Sequence, residues 1–214
     1  MTYIAERREE EKERRRAEIL DAAETLYAKK GWEAVTVDEV ARSARLSRAL
    51  VYVYFKDKED LLFAIGERAM RLLRERFEAA ASGPGSGLQH VAQIGRAYTG
   101  YALEFPHFFD FCSRFQSHPM GADASANESA CHRAGDQVIE TVVAALQRGM
   151  GDGSIRTDIG DALLLAFTLW AFTHGITQLI MAKAQDLARR GVSVPDFSNF
   201  AFGLLTDLLE KYRA

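Results

Sequence analysis

The chain has 214 residues, 48% of them hydrophobic and 27% charged, with a net charge of −3. That content fills a real core in one large or two small domains and excludes a protein coated in nucleic acid, leaving an ordinary globular class. The first 16 residues are crowded with Glu, Arg and Lys and hold no apolar core, so no secretory leader is expected and the location predicted is cytoplasmic.

Apolar residues recur at helical spacing nearly everywhere and no period of two survives beyond a few residues, so the chain reads as all-α. A first helix is predicted over 6–30, with Ile19, Leu20, Ala23, Leu26 and Tyr27 as its buried stripe and Gly31 ending it after two lysines. Its charged beginning reads as a solvated face in preference to a DNA-contacting arm. A second helix over 36–44 opens on Thr36 with Glu39 three residues on, a capping box in which hydroxyl and carboxylate satisfy free amides reciprocally. Ser47 caps a short third helix over 47–55, and a fourth runs over 57–81. After the Gly-rich loop at 82–87 come helices over 88–104, 106–117, 128–148, 159–188 and 196–213. Pro106 stands where a first helical turn tolerates it, 118–126 is a small-residue loop, and 149–153 is a turn.

The run 162–182 carries no formal charge over 21 residues, which raises a membrane span. Thr168, Thr173, His174, Thr177 and Gln178 recur through its second half without a flanking basic or aromatic belt, so a buried helix is the reading and no membrane partner is expected. Cys112 and Cys131 lack CxxC spacing or a nearby His pair, so neither metal nor cofactor is expected and both read as idle thiols.

The second and third helices, short and joined by a tight turn, have the spacing of a helix-turn-helix. Charge agrees: residues 42–58 hold five basic side chains (Arg42, Arg45, Arg48, Lys56, Lys58) against Asp57. A local basic surface on an acidic protein suits docking to phosphate at one end. Helical spacing lets Arg48, Ala49, Tyr52 and Val53 face outward while Leu46, Val51 and Phe55 face in, with Leu50 ambiguous.

The string Thr36-Val-Asp-Glu-Val-Ala-Arg-Ser-Ala-Arg-Leu-Ser-Arg-Ala-Leu-Val-Tyr-Val-Tyr-Phe-Lys-Asp-Lys-Glu-Asp-Leu-Leu62 closely resembles the signature of the TetR family of regulators. The matching residues are Thr36, Val40, Ala41, Ala44, Leu46, Ser47, Tyr52, Tyr54, Phe55, Lys58, Leu61 and Leu62. The resemblance implies a three-helix helix-turn-helix domain over 1–58 and a helical ligand-binding and dimerisation bundle over 59–214. It implies that Thr36 touches phosphate while capping its helix, that Arg48, Ala49 and Leu50 lie nearest the bases, and that Tyr52, Tyr54 and Lys58 reach the backbone. Ser47 belongs to the same set as the cap of the recognition helix. Three residues depart from the pattern. Arg45 replaces a turn Gly, at a cost of about 1 kcal/mol if φ stays positive, which a phosphate contact offsets. Ala49 replaces Gly, and Leu50 replaces a hydroxyl residue, leaving a contact to a thymine methyl.

From Leu61 onward the chain is more apolar than a docking module needs. Its aromatics cluster at Tyr98, Tyr101, Phe105, Phe108, Phe109, Phe111 and Phe115, and again at Phe167, Trp170, Phe172 and His174. They are core, or they line an apolar pocket beside Arg96, Glu104, His107, Arg114 and His118. Tyr98, Tyr101, Phe105, Phe108, Phe111, Phe115, Trp170 and His174 are the candidate contacts for a small apolar or aromatic effector. The Trp170-Ala-Phe-Thr-His174-Gly175 element resembles one found in part of the TetR family and sets Trp170 and His174 on one helical face. Leu163, Phe167, Leu204, Leu205 and Leu208 are candidates for a homodimer interface, because the helices carrying them are apolar around too much of their circumference for a monomer. A two-fold dimer presents paired recognition helices to a near-palindromic double-stranded operator.

The expected function is a ligand-responsive regulator, a repressor. No Ser-His-Asp set, HExxH, Gly-rich phosphate loop or Cys/His cluster supports an enzyme. A helical dimer that has lost DNA binding is the other alternative.

Overall fold

A computed structural model of the chain describes residues 3–115 and 123–210. Among them are nine helices: α1 (Tyr3–Lys30), α2 (Val37–Ser43), α3 (Arg48–Tyr54), α4 (Lys58–Ala81), α5 (Gly87–Glu104), α6 (Pro106–Phe115), α7 (Ala126–Asp152), α8 (Ala162–Arg189) and α9 (Val194–Leu209). The fold is all-α, with one isolated antiparallel bridge between Ile155 and Glu210 among the described residues.

The caps explain most helix starts. Thr36 accepts from the Glu39 amide while Glu39 reaches back to the Thr36 amide, and Ser47 accepts from the Leu50 amide. Ser86 and Gln89 make a second capping box at α5. Of the predicted boundaries that differ, three have a clear local cause. The expected turn at 149–153 is helical as far as Asp152, because a close backbone approach holds Gly149: a Cβ on Gly87 would lie 2.1 Å from the Gly149 nitrogen. Within 149–153 only Gly153 takes a positive φ, +77°. α8 starts at Ala162 rather than at 159, since Asp161 accepts from the Leu163 and Leu164 amides after Gly160 at φ +118°. α9 stops at Leu209, where its carbonyl accepts from Arg156 and Glu210 turns extended to pair with Ile155. Residues 116 and 117 of the expected sixth helix, 118–122 of the expected loop and 211–213 of the expected ninth helix lie outside the described residues.

By internal contact the chain forms two units, Met1–Ala69 with Pro106–Arg133, and Met70–Phe105 with Ala134–Ala214. The first unit thus holds the start of α4, all of α6 and the start of α7 together with α1 to α3.

In the first unit α1 packs on α2 and α6, and α2 packs on α3. Ile19, Ala23 and Tyr27 of α1 meet a core that includes Val35, Val40, Val51, Phe55, Leu61 and Ile65. Each Val, Leu, Ile or Phe side chain among them contributes about 1.5–3 kcal/mol on burial. Leu26 is only half-buried and Ala22 is buried in its stead, so the stripe is centred on the 19-23-27 line. The start of α1 is a regular helix laced with Glu-Arg pairs such as Glu11 with Arg14 and Arg15 with Glu18.

In the second unit α5, α8 and α9 pack on one another. Ile94, Tyr98 and Tyr101 of α5, Leu165 and Leu169 of α8 and Phe202 of α9 form the interior. The Phe202 ring lies against Gly95, where a Cβ would sit 3.0 Å from Cε1. α8 is the one described helix long and apolar enough to cross a membrane, with a mean hydropathy of 1.5, and a third of that window is buried. Its inward line of Leu165, Ala166, Leu169, Thr173, Thr177 and Ile180 is that of a helix packed on a bundle by one face.

Candidate nucleic-acid interface

The turn between α2 and α3 is a Schellman motif. Leu46 N–H donates to the Ala41 carbonyl at 2.8 Å and Arg45 N–H to the Arg42 carbonyl at 3.1 Å. Arg45 therefore sits at the position that needs a left-handed backbone, and its φ is +58°, the one positive φ outside glycine among the described residues. The turn buries Val51 of α3 and Phe55 at its C-cap and leaves Arg48, Ala49, Tyr52 and Val53 exposed, as the spacing predicted. Leu46, Leu50 and Tyr54 are half-buried.

On this outward face the polar groups are already organised. Arg48 donates through Nη1 to the Asp38 carboxylate at 3.1 and 3.3 Å, and through Nη2 to the Tyr52 hydroxyl at 3.3 Å. Its guanidinium also lies 5.6 Å from the Tyr52 ring centroid. The Tyr52 hydroxyl, followed by the Asp38 charge, raises the Arg48 pKa, so Arg48 stays cationic. Lys58 stands 5.2 Å over the Trp32 ring and donates to the Glu33 carbonyl at 3.4 Å. Glu39 is shared between the Thr36 cap and Lys30, 2.7 Å away. The Lys30 ammonium first, then the Thr36 hydroxyl and amide, hold the Glu39 carboxyl down to about 2. Arg45 is exposed.

The candidate effector residues fall into both units. Tyr98, Tyr101, Phe105, Trp170 and His174 lie in the second. There the Tyr98 hydroxyl meets His174 Nδ1 at 2.8 Å, Tyr101 packs on Phe105 at 5.7 Å, and Trp170 and His174 are half-buried on one face of α8. Burial lowers the His174 pKa, so the ring is neutral at neutral pH. Phe108 and Phe111 are buried in the first unit, where the Phe111 ring fills the space a Cβ on Gly66 would take, 2.1 Å from Cζ. The Phe115 side chain and His118 lie outside the described residues. Of the interface candidates, Leu163, Phe167, Leu204 and Leu208 are exposed and Leu205 is half-buried. Burial pushes the Cys112 thiol up to about 12, and Cys131 is raised by the same cause, so both are protonated and inert.

Comparison with known proteins decides the family. The model described as "Bacterial regulatory proteins, tetR family" matches residues 19–65, and "Tetracyclin repressor-like, C-terminal domain" matches residues 91–192. The chain belongs to the TetR family of transcriptional regulators. Like its relatives this TetR-family protein is a DNA-binding regulator and not an enzyme. It is 43% identical over 51 residues to the HTH-type transcriptional regulator HbdR of Aromatoleum, a match spanning 24% of this chain and 22% of that protein. With the HTH-type transcriptional repressor KstR2 of Rhodococcus jostii it shares 28% identity over 160 residues, 73% of this chain and 76% of that one. The structure of FadR from Bacillus subtilis in complex with stearoyl-CoA superposes with a TM-score of 0.69 at 16% identity, covering 91% of this chain and 99% of that one. The likeness to FadR is one of fold.

Within the TetR-family frame, three residues were missed by sequence reasoning: Asp38, which holds Arg48, and Trp32 and Glu33, which hold Lys58. Asp38 lies ten positions from its partner across a turn, and helical periodicity relates residues only within one helix. Nothing in the sequence around Trp32 signals that a lysine 26 positions on stacks over its ring.

Proposed function

We propose that this regulator is a cytoplasmic, ligand-responsive repressor that binds a near-palindromic operator as a homodimer under the control of a small apolar or aromatic effector. The observation that carries the reading is the outward face of α3, where Arg48, Ala49, Tyr52 and Val53 stand free of the core beside exposed Arg45 while Val51 and Phe55 anchor the helix. In this reading Arg48, Ala49 and Leu50 address bases, Thr36, Arg45, Tyr52, Tyr54 and Lys58 address phosphates, and Ser47 holds the start of the helix. The 1–58 segment docks on DNA, and 59–214 receives effector and partner.

The exposed leucines and phenylalanines of α8 and α9 support a second copy of this chain as the partner. The name of KstR2 supports repression, and stearoyl-CoA in the FadR structure supports an apolar effector. The rings around the Tyr98-His174 pair are the place to receive one. An effector of any size acts only if it binds the DNA-competent and incompetent states differently.

The test is a gel shift and footprint of the full chain on the DNA upstream of its own coding sequence at low salt, repeated with stearoyl-CoA and shorter acyl-CoAs. A protected two-fold site whose occupancy changes with one of these compounds supports the proposal. A chain that protects no site overturns the repressor reading and favours a helical dimer that has lost DNA binding.

A further inference from the structure

The outward face of α3 is poor in polar groups. Ala49 and Val53 offer only methyl groups, Leu50 is half-buried and aliphatic, and the hydrogen-bonding capacity of the face rests on Arg48 and Tyr52. These two are joined, Arg48 Nη2 to the Tyr52 hydroxyl, and the Arg48 Nη1 is held by both carboxylate oxygens of Asp38. All three side chains are exposed, with Arg48 at 57% and Asp38 at 56%, so the triad lies on the surface and not in the core.

A carboxylate there needs an explanation. Arg42, Arg45, Arg48, Lys56 and Lys58 make this stretch basic, and an acidic side chain among them lowers affinity for a polyanion. The bland role for Asp38 is to complement the positive N-terminal end of α2. That end already has Thr36 as its cap and the Glu39 carboxylate beside it, and the hydrogen bonds of Asp38 run to Arg48. A guanidinium has five donors in a rigid fork, so Asp38 and Tyr52 can fix its plane and leave donors for a base edge.

We propose that Asp38 is a specificity-determining positioning residue: it holds the Arg48 guanidinium against Tyr52 so that Arg48 reads a guanine through adjacent donors instead of settling on a phosphate. The inference rests on the DNA-reading role of α3 given above. A flexible arginine on a groove-facing helix is drawn to the nearest phosphate, which carries no sequence information. A restrained one meets the paired acceptors O6 and N7 of guanine, the arrangement that distinguishes that base. An exposed ion pair of this kind is weak, which suits the role: it biases a rotamer and contributes little to folding.

The experiment selects bound duplexes from a randomised library with the full-length wild type, Asp38→Asn, Arg48→Ala and the double variant, and then measures affinity for an enriched and a scrambled duplex across salt. Asp38→Asn is expected to keep the wild-type melting temperature and to lower guanine preference at one motif position by about 3-fold, the scale of an exposed pair. It is also expected to bind scrambled duplex more tightly, with a salt slope steeper by about 0.9 as Arg48 moves to a phosphate. In the Arg48→Ala background Asp38→Asn is expected to leave the motif unchanged. An Asp38→Asn motif identical to wild type overturns the inference while the DNA-reading role stands, as does equal relaxation with and without Arg48. A wild type that enriches no motif overturns both.

Discussion

Arg45 and Gly191 occupy the same place in two turns of the same kind. After α8, Val192 N–H donates to the Leu187 carbonyl and Gly191 N–H to Ala188, with Gly191 at φ +76°. After α2, Arg45 takes that place at φ +58°. A left-handed non-glycine residue costs about 1–2 kcal/mol, and returning it to glycine adds back about 0.4–1 kcal/mol of unfolded-chain entropy. Arg45→Gly is therefore expected to stabilise the protein by about 0.5–1 kcal/mol in urea unfolding. If Arg45 meets a phosphate, the same change weakens DNA binding and makes its salt slope shallower by about 0.9; a more stable variant with unchanged affinity would show that the arginine does not touch DNA. Glu39 sets an acid limit. Its folded pKa, about 2, lies below the 4.5 of the free side chain, so its contribution is complete above about pH 4.5 and is lost as pH falls toward 2. Glu39→Gln is expected to flatten that limb of a stability profile measured by urea midpoints, and an unaltered limb would assign the acid loss to other carboxylates.

At the level of elements, α6 is held to α1 and α4 by contacts of two kinds. Tyr27 of α1 donates to Asp110 at 2.9 Å, and Arg114 reaches from α6 to Glu33 at 2.7 Å. The Phe111 ring occupies a notch in α4 made by Gly66, where a Cβ would lie 2.1 Å from Cζ. Alanine is the better helix former by about 1 kcal/mol, yet overpacking of a closed contact costs about 1–3 kcal/mol. Gly66→Ala is thus expected to destabilise the chain, and adding Phe111→Leu to restore part of the loss. A stable Gly66→Ala protein would mean that the ring moves aside freely. These contacts also mark where the sequence was legible. Local signals gave α2 and α3 with their caps, because a capping box needs only residues three apart. Phe108 and Phe111 read as pocket candidates because composition registers a ring but not its neighbour, and a notch 45 positions away in Gly66 has no periodic trace. The overlong α7 escaped for the same reason: Gly149 looks like a turn until its contact with Gly87 is known.

For the whole molecule, the question is what covers the apolar residues left outside. Leu163, Leu164, Phe167 and Phe172 on α8, and Phe200, Leu204 and Leu208 on α9, are all exposed in the single chain. A two-helix surface of this composition is a poor face for water, and a second copy meeting it about a two-fold axis buries both faces at once. The sequence disclosed these helices by being apolar on too many sides, but it could not say which side faces inward. Leu205 turned out half-buried where Leu204 and Leu208 are exposed at 55% and 52%. Because both leucines already stand outside the core, Leu204→Lys with Leu208→Lys is expected to leave helix content by circular dichroism unchanged. The variant is expected to sediment at the mass of one chain, 23.9 kDa, and the wild type at twice that mass. Two linked recognition helices gain affinity through effective concentration, so the monomeric variant is expected to lose about 100-fold or more in operator affinity while keeping the base preference of a single α3. A double-lysine variant that still sediments as a dimer would place the interface elsewhere, and one that becomes a monomer without losing affinity would show that a single recognition helix suffices.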